Sequence, residues 1–108
     1  MRKATRTKLR FAAGYLGDVK RHGWKDCLDK AYDIVEAAYD DEYDAMCNYP
    51  ENFQGTEAFE RIEEACDCLS SALGSISHVR SVMRDGPAEE LGDAIDQAVS
   101  DIFGAINA

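Results

Sequence analysis

Proline and long apolar runs are scarce in this chain, and basic residues are scarce beyond position 25. Only Pro50 and Pro87 occur among the 108 residues, so few positions forbid a helix. No stretch reaches the roughly 18 consecutive apolar residues that span a bilayer, and none forms the apolar centre of a signal peptide. These absences predict a soluble protein of the cytoplasm that has no membrane partner.

Motifs for catalysis and for cofactor binding are also missing. The four cysteines never form a C-x-x-C pair, and neither histidine has a cysteine at the spacing of zinc ligands. No glycine-rich phosphate loop and no Ser/His/Asp or Cys/His set occurs in a recognisable context. We therefore predict free thiols, no metal, no cofactor and no enzymatic activity.

The charge of the chain is strongly divided. Residues 1–25 carry eight Lys and Arg against one acid, a net of +7, whereas residues 26–108 carry four against twenty, a net of −16. Such asymmetry bears on partners and solubility rather than on fold. Apolar content of 45% is that of a globular protein. We predict one helical domain over 1–108, with a basic segment, 1–23, before an acidic body, 24–108.

Four segments repeat apolar residues every three or four positions, which is the spacing of amphipathic helices. They run from about 4 to 21, from 24 to 46, from 56 to 84, and from just after Pro87 to 106. Turn-forming residues separate them at His22-Gly23, Asn48-Tyr49-Pro50 and Asp85-Gly86-Pro87, and Thr56 is a predicted N-cap. No segment alternates with period two. The sequence predicts an all-α protein, a small antiparallel bundle of about four helices.

The third segment has the most regular apolar pattern. Steps of three and four residues join Phe59, Ile62, Cys66, Leu69, Leu73 and Ile76, and we call this set the α3 seam. Such a seam is typical of coiled coils, and Arg80 occupies the next expected position. The seam can pack within the bundle or against a second copy, so a homodimer is an open alternative.

Acidic residues follow two of the helical segments on one side. The second segment carries Asp26, Asp29, Asp33, Glu36, Asp40 and Asp44, and the third carries Glu57, Glu60, Glu64 and Asp67. At about 100° per residue, each set falls in a narrow sector away from the apolar stripe. Side by side, the two helices would present two ranks of charge.

This acidic surface has two interpretations. Between Asp26 and Asp67, fourteen acids meet only Lys30 and Arg61. Like charges three or four residues apart destabilise a helix by about 0.2–0.5 kcal/mol per pair, so most surfaces mix signs. One interpretation is a docking face for a Lys/Arg-rich partner, and the other is a polar outer face that only keeps the helices soluble.

The start of the chain carries five cations within ten residues. They are Arg2, Lys3, Arg6, Lys8 and Arg10. They suit contact with nucleic acid or an anionic membrane, or pairing with acidic faces of the same or a neighbouring chain. We favour the pairing, because a body of −16 repels the phosphates that the cations attract. Direct binding of nucleic acid is therefore not the favoured prediction.

One stretch resembles a known group of proteins. It is Asn48-Tyr49-Pro50-Glu51-Asn52-Phe53-Gln54-Gly55-Thr56-Glu57, followed by Arg61-Ile62-Glu63-Glu64-Ala65. It is similar to small acidic helical proteins of bacteriophages and other mobile elements, in which a Pro-Glu-Asn-apolar-Gln turn precedes a Ser/Thr-Glu helix start. Cys66 and Cys68 depart from the more uniformly acidic continuation of that group. The resemblance implies a phage context, in which small non-enzymatic proteins, anti-CRISPR proteins among them, frequently occlude a host protein.

Charge pattern and resemblance together lead to one functional prediction. We expect a non-enzymatic interaction protein, a phage-encoded inhibitor that presents the ten carboxylates to a basic surface of a nucleic-acid-binding host protein. The alternative is a self-assembling structural or accessory module whose specificity lies in its apolar seams, with no mimicry of nucleic acid.

Overall fold

The computed structural model describes all 108 residues and contains four helices and no strand. Helix α1 spans Lys3–His22, α2 spans Lys25–Cys47, α3 spans Glu57–Asp85 and α4 spans Ala88–Ile106, with a 3-10 turn at Glu51–Phe53. The predicted all-α class is confirmed, and the predicted helix ends lie within about one residue of those observed.

Short links reverse the chain between helices. Gly23 ends α1 with a φ of 69°, and its N–H donates to the carbonyl of Val19 at 2.8 Å. Glycine adopts this left-handed conformation without the strain that a Cβ brings. At the start of α3, the Thr56 hydroxyl accepts a hydrogen bond from the N–H of Phe59 at 3.4 Å, so the predicted N-cap is confirmed.

The helices form a ring in which each one packs against two neighbours. Helix α1 lies between α2 and α4, and α3 lies between the same two on the opposite side. One core of 19 buried residues draws on all four helices, and the bundle measures 49 × 22 × 18 Å. The largest fully buried side chains are Leu9, Leu16, Leu28, Leu69, Ile76, Ile95 and Ile102. The predicted small bundle of four helices is therefore confirmed.

The α3 seam packs inside the bundle. Cys66, Leu69 and Ile76 are buried, and the other members are half-buried. Ala72 and Val79 extend the buried stripe beyond the predicted positions. The buried half of the seam is therefore occupied by contacts within one chain, and a homodimer stays an open alternative.

The basic start of the chain is the first half of α1. None of its five predicted cations forms an ion pair with an acid of this chain. The later cations of the helix do: Lys20 contacts Asp96 at 2.8 Å and Arg21 contacts Asp18 at 2.6 Å. The favoured pairing with the chain's own acids is therefore not formed, and pairing with a neighbouring chain stays a prediction.

Candidate functional site: an acidic face and an adjoining cleft

All ten predicted carboxylates are exposed on the outer sides of two adjacent helices. The α2 row consists of the six acids from Asp26 to Asp44, and the α3 row consists of the four acids from Glu57 to Asp67. Together they form the acidic face. The buried residues of α2, such as Ala31 and Ala38, lie on the opposite side of the helix from the α2 row. The amphipathic pattern of each helix therefore directs its acids into solvent.

The two rows are staggered along the bundle instead of lying side by side. Helices α2 and α3 are antiparallel, and Arg80 contacts Asp29. Each step forward along α2 then corresponds to one step back along α3, which puts Asp44 level with Ala65. The Asp67 end of the α3 row therefore lies beside the Asp44 end of the α2 row. At 1.5 Å per residue the combined face is about 39 Å long.

Few cations neutralise this face. Arg80 Nη2 donates to Asp29 Oδ1 at 2.8 Å, and Arg61 Nη2 donates to Glu57 Oε1 at 2.5 Å. The other eight carboxylates form no ion pair. Lys8 lines a groove between α1 and α2 with Asp33, but it does not pair with that carboxylate. Most of the negative charge predicted from the sequence is therefore open to solvent.

Aromatic side chains line the edge of the α2 row that faces α3. Tyr32 and Tyr39 are half-buried there, whereas Tyr43 is 45% exposed. The rings of Tyr39 and Tyr43 stack with centroids 5.9 Å apart. The neighbouring Cys47 thiol raises the pKa of the Tyr43 hydroxyl. Aromatic rings beside charge are enriched at protein interfaces, so this edge suits contact with a partner.

Comparison with known proteins gave no match. No protein-family model, no curated protein and no solved structure matches this chain. None of the four helices combines the length and the apolar character needed to cross a membrane. No group of three or more His, Cys, Asp or Glu side chains is placed to hold a metal ion.

A cleft of about 480 Å³ adjoins the acidic face at one end of the bundle, and we call it the end cleft. It was not predicted from the sequence. Arg2 and Thr5 of the N-terminal region line one side, the last turns of α2 line another, and Ile62 of α3 lines the third. Asp44 belongs both to the cleft and to the α2 row. The cleft is therefore continuous with the predicted docking face.

Glu42 is the one buried charged residue of the protein and lines the end cleft. It is 6% exposed and takes part in no side-chain hydrogen bond and no ion pair. A signal for its burial exists in the sequence, because Glu42 follows Val35 by seven residues and Ala38 by four. It therefore falls on the apolar stripe of α2.

Glu42 also affects a neighbouring thiol. Burial, with the negative charge of Glu42 as the next cause, raises the pKa of the Cys66 thiol to about 11. A thiol of this kind is almost entirely protonated near neutral pH and is a poor nucleophile. All four cysteines are free, and Cys66 serves as a small core residue.

Proposed function

We propose that this protein binds a Lys/Arg-rich surface of a nucleic-acid-binding protein through the acidic face and so blocks that surface. One observation carries the proposal: eight of the ten exposed carboxylates have no ion pair along a face about 39 Å long. Repulsion between neighbouring carboxylates costs helix stability, and an oppositely charged partner removes that repulsion. The resemblance to phage proteins suggests a host cytoplasm as the setting.

The spacing of the charges supports this choice of partner. Consecutive carboxylates of the α2 row rise by about 5 Å along the helix axis. A nucleic-acid strand places one phosphate every ~3.4 Å of its axis, so a groove built to bind phosphates meets a comparable line of charge. Binding of this kind is fast at low ionic strength and weakens as salt screens the charges.

Capture of host proteins by three forms of the chain tests the proposal. The test variant carries Glu36→Gln, Asp40→Asn and Glu60→Gln, which removes three unpaired carboxylates from the two rows. The matched control carries Glu89→Gln, Glu90→Gln and Asp93→Asn, which removes three exposed acids of α4 that have no ion pair. Both variants therefore have the same net charge.

Each form is immobilised and exposed to nuclease-treated host lysate at low and high salt. We expect the wild type and the control to capture nucleic-acid-binding proteins at low salt and to release them when DNA or salt is added. The test variant should lose them. Equal capture by all three forms, or capture that ignores salt, would reject the proposal.

Self-assembly is the second candidate, and one observation favours it. Five cations at the start of α1 and eight carboxylates of the acidic face are unpaired within one chain. Opposite charges on different surfaces allow one copy to bind another. Sedimentation velocity separates the candidates, since an oligomer that persists at micromolar concentration and dissociates in salt supports self-assembly. A monomer at every concentration contradicts it.

A further inference from the structure

We propose that the end cleft binds the guanidinium group of an arginine side chain, with Glu42 as its principal acceptor. This inference rests on the proposed function and deepens it. It names the point at which a basic partner is anchored and the side chain that the partner inserts.

Glu42 is largely enclosed by the protein and lines the end cleft. A carboxylate that reaches water only through a cleft keeps part of its hydration, and the lost part is costly unless donors or a cation replace it. Glu42 is 6% exposed and has no such partner among the protein's own groups. It lines a cleft of about 480 Å³, so a ligand can reach it. Arg2 lines the same cleft but forms no ion pair with Glu42, so a cationic ligand there would supply the missing partner.

Polar side chains other than Glu42 also line the end cleft. Asp41 and Asp44 place two exposed carboxylates beside Glu42, and Arg2 is the only cationic side chain that lines the cleft. The side-chain nitrogen of Asn48 donates to the carbonyl of Asp44 at 2.9 Å, which leaves the Asn48 amide oxygen as an acceptor. The carboxylates of Asp41 and Asp44 and the amide oxygen of Asn48 can each accept a hydrogen bond from a ligand, whereas Arg2 can only donate.

Guanidinium fits this arrangement better than a metal ion or a lysine. The protein has no group of three acids placed to hold a metal. A guanidinium carries five N–H donors in a planar fork, binds a carboxylate with two bonds, and is less strongly hydrated than an ammonium. Met1, Ala45 and Ile62 add apolar wall for the methylenes of the arginine stem.

The end cleft adjoins the acidic face. Asp44 is the last carboxylate of the α2 row and also lines the end cleft. A basic surface laid along the acidic face therefore brings a side chain to the mouth of the cleft. Arginines that enter a desolvated pocket are enriched among the residues that dominate binding energy at interfaces.

Titration of the ¹⁵N-labelled full chain with N-acetyl-L-arginine amide tests the site by NMR. N-acetyl-L-citrulline amide is the neutral probe of similar shape. We expect saturable shifts at the backbone amides of Thr5, Glu42 and Asn48 with the arginine probe and none with the citrulline probe. Glu42→Gln should weaken the arginine affinity by about tenfold or more, while Glu36→Gln on the exposed side of α2 should not.

Three results overturn the inference. One is a set of shifts that spreads along the α2 row without saturating. Another is an equal affinity for Glu42→Gln and Glu36→Gln. The third is saturation of the same amides by calcium chloride at a lower concentration than the arginine probe needs. If Glu42→Gln does not fold, Asp44→Asn is the test variant and Asp33→Asn is its control. An equal affinity of these two variants for the arginine probe then overturns the inference.

A polyarginine peptide separates failure of this inference from failure of the proposed function. If only the cleft is wrong, Glu42→Gln binds the peptide as wild type does, and the triple variant of the acidic face binds it weakly. If only the proposed function is wrong, the arginine probe still saturates the cleft, but capture of host proteins does not depend on the acidic face.

Discussion

Arg80 of α3 donates a hydrogen bond of 2.8 Å to Asp29 of α2, the one contact by which the bundle neutralises the α2 row. The guanidinium carbon of Arg80 also lies 5.3 Å from the centre of the Tyr32 ring. Arg80 occupies the position at which the α3 seam would otherwise continue. Arg80 therefore does not extend the buried seam but links α3 to α2. The contact shows which residues of the two helices lie at the same level.

The Arg80–Asp29 contact should be weak and sensitive to salt. Both side chains are partly exposed, and exposed ion pairs contribute about 0.2–1 kcal/mol. We expect Arg80→Gln to lower the free energy of unfolding by about 0.5–1.5 kcal/mol, because it also removes the cation–π contact with Tyr32. A double-mutant cycle with Asp29→Asn, measured by urea unfolding, should give a coupling that shrinks at high salt. A coupling of zero at low salt contradicts this.

Replacing Glu42 by glutamine should stabilise the isolated protein. The change removes a largely enclosed carboxylate that has no ion pair and keeps its shape, so we expect the free energy of unfolding to rise by up to about 1 kcal/mol. Urea is the appropriate denaturant, because guanidinium is a candidate ligand of the end cleft. Asp33 is exposed on the same helix, so the control Asp33→Asn should change the free energy of unfolding by less than about 0.5 kcal/mol. A lower free energy of unfolding for Glu42→Gln would show that the Glu42 carboxylate is stabilised by groups of the protein itself.

Two glycine substitutions should have opposite effects. Gly74 lies inside α3 and a Cβ there meets no atom within 4 Å, so Gly74→Ala should raise stability by about 0.5–1 kcal/mol. Gly23 has a φ of 69°, so Gly23→Ala should lower stability by about 1–2 kcal/mol. Thermal unfolding followed by circular dichroism measures both changes. Shifts of the same sign would contradict the prediction.

Stability should fall in alkaline solution partly because of Cys66. Its pKa rises from 9.0 to about 11 on folding, so the folded state holds this proton more tightly than the unfolded state. The resulting stabilisation is complete below pH 9 and is lost as the pH rises towards 11. Cys66→Ala should therefore show a shallower fall of the free energy of unfolding over that range. An unchanged slope would show that Cys66 does not contribute.

Local signals account for what could be predicted of the fold. The apolar periodicity located each helix, and Thr56 and Pro87 marked two helix starts, because capping and backbone restriction act within a few residues. The exposure of the predicted acids follows from the same periodicity, since a side chain opposite the apolar stripe cannot reach the core. Glu42 shows the limit of such reasoning, because the same periodicity places a carboxylate on the buried side.

Four amphipathic helices and two acidic rows follow from the amino-acid sequence alone, because helical periodicity and turn chemistry are local properties. Tertiary structure alone decided that the rows are staggered, that Arg80 reaches Asp29, and that Glu42 is enclosed beside Arg2 and Ile62 at one end of the bundle. These features depend on which helices are neighbours and on how far each is displaced along the next. That displacement results from close packing of the whole core, and no single segment encodes it.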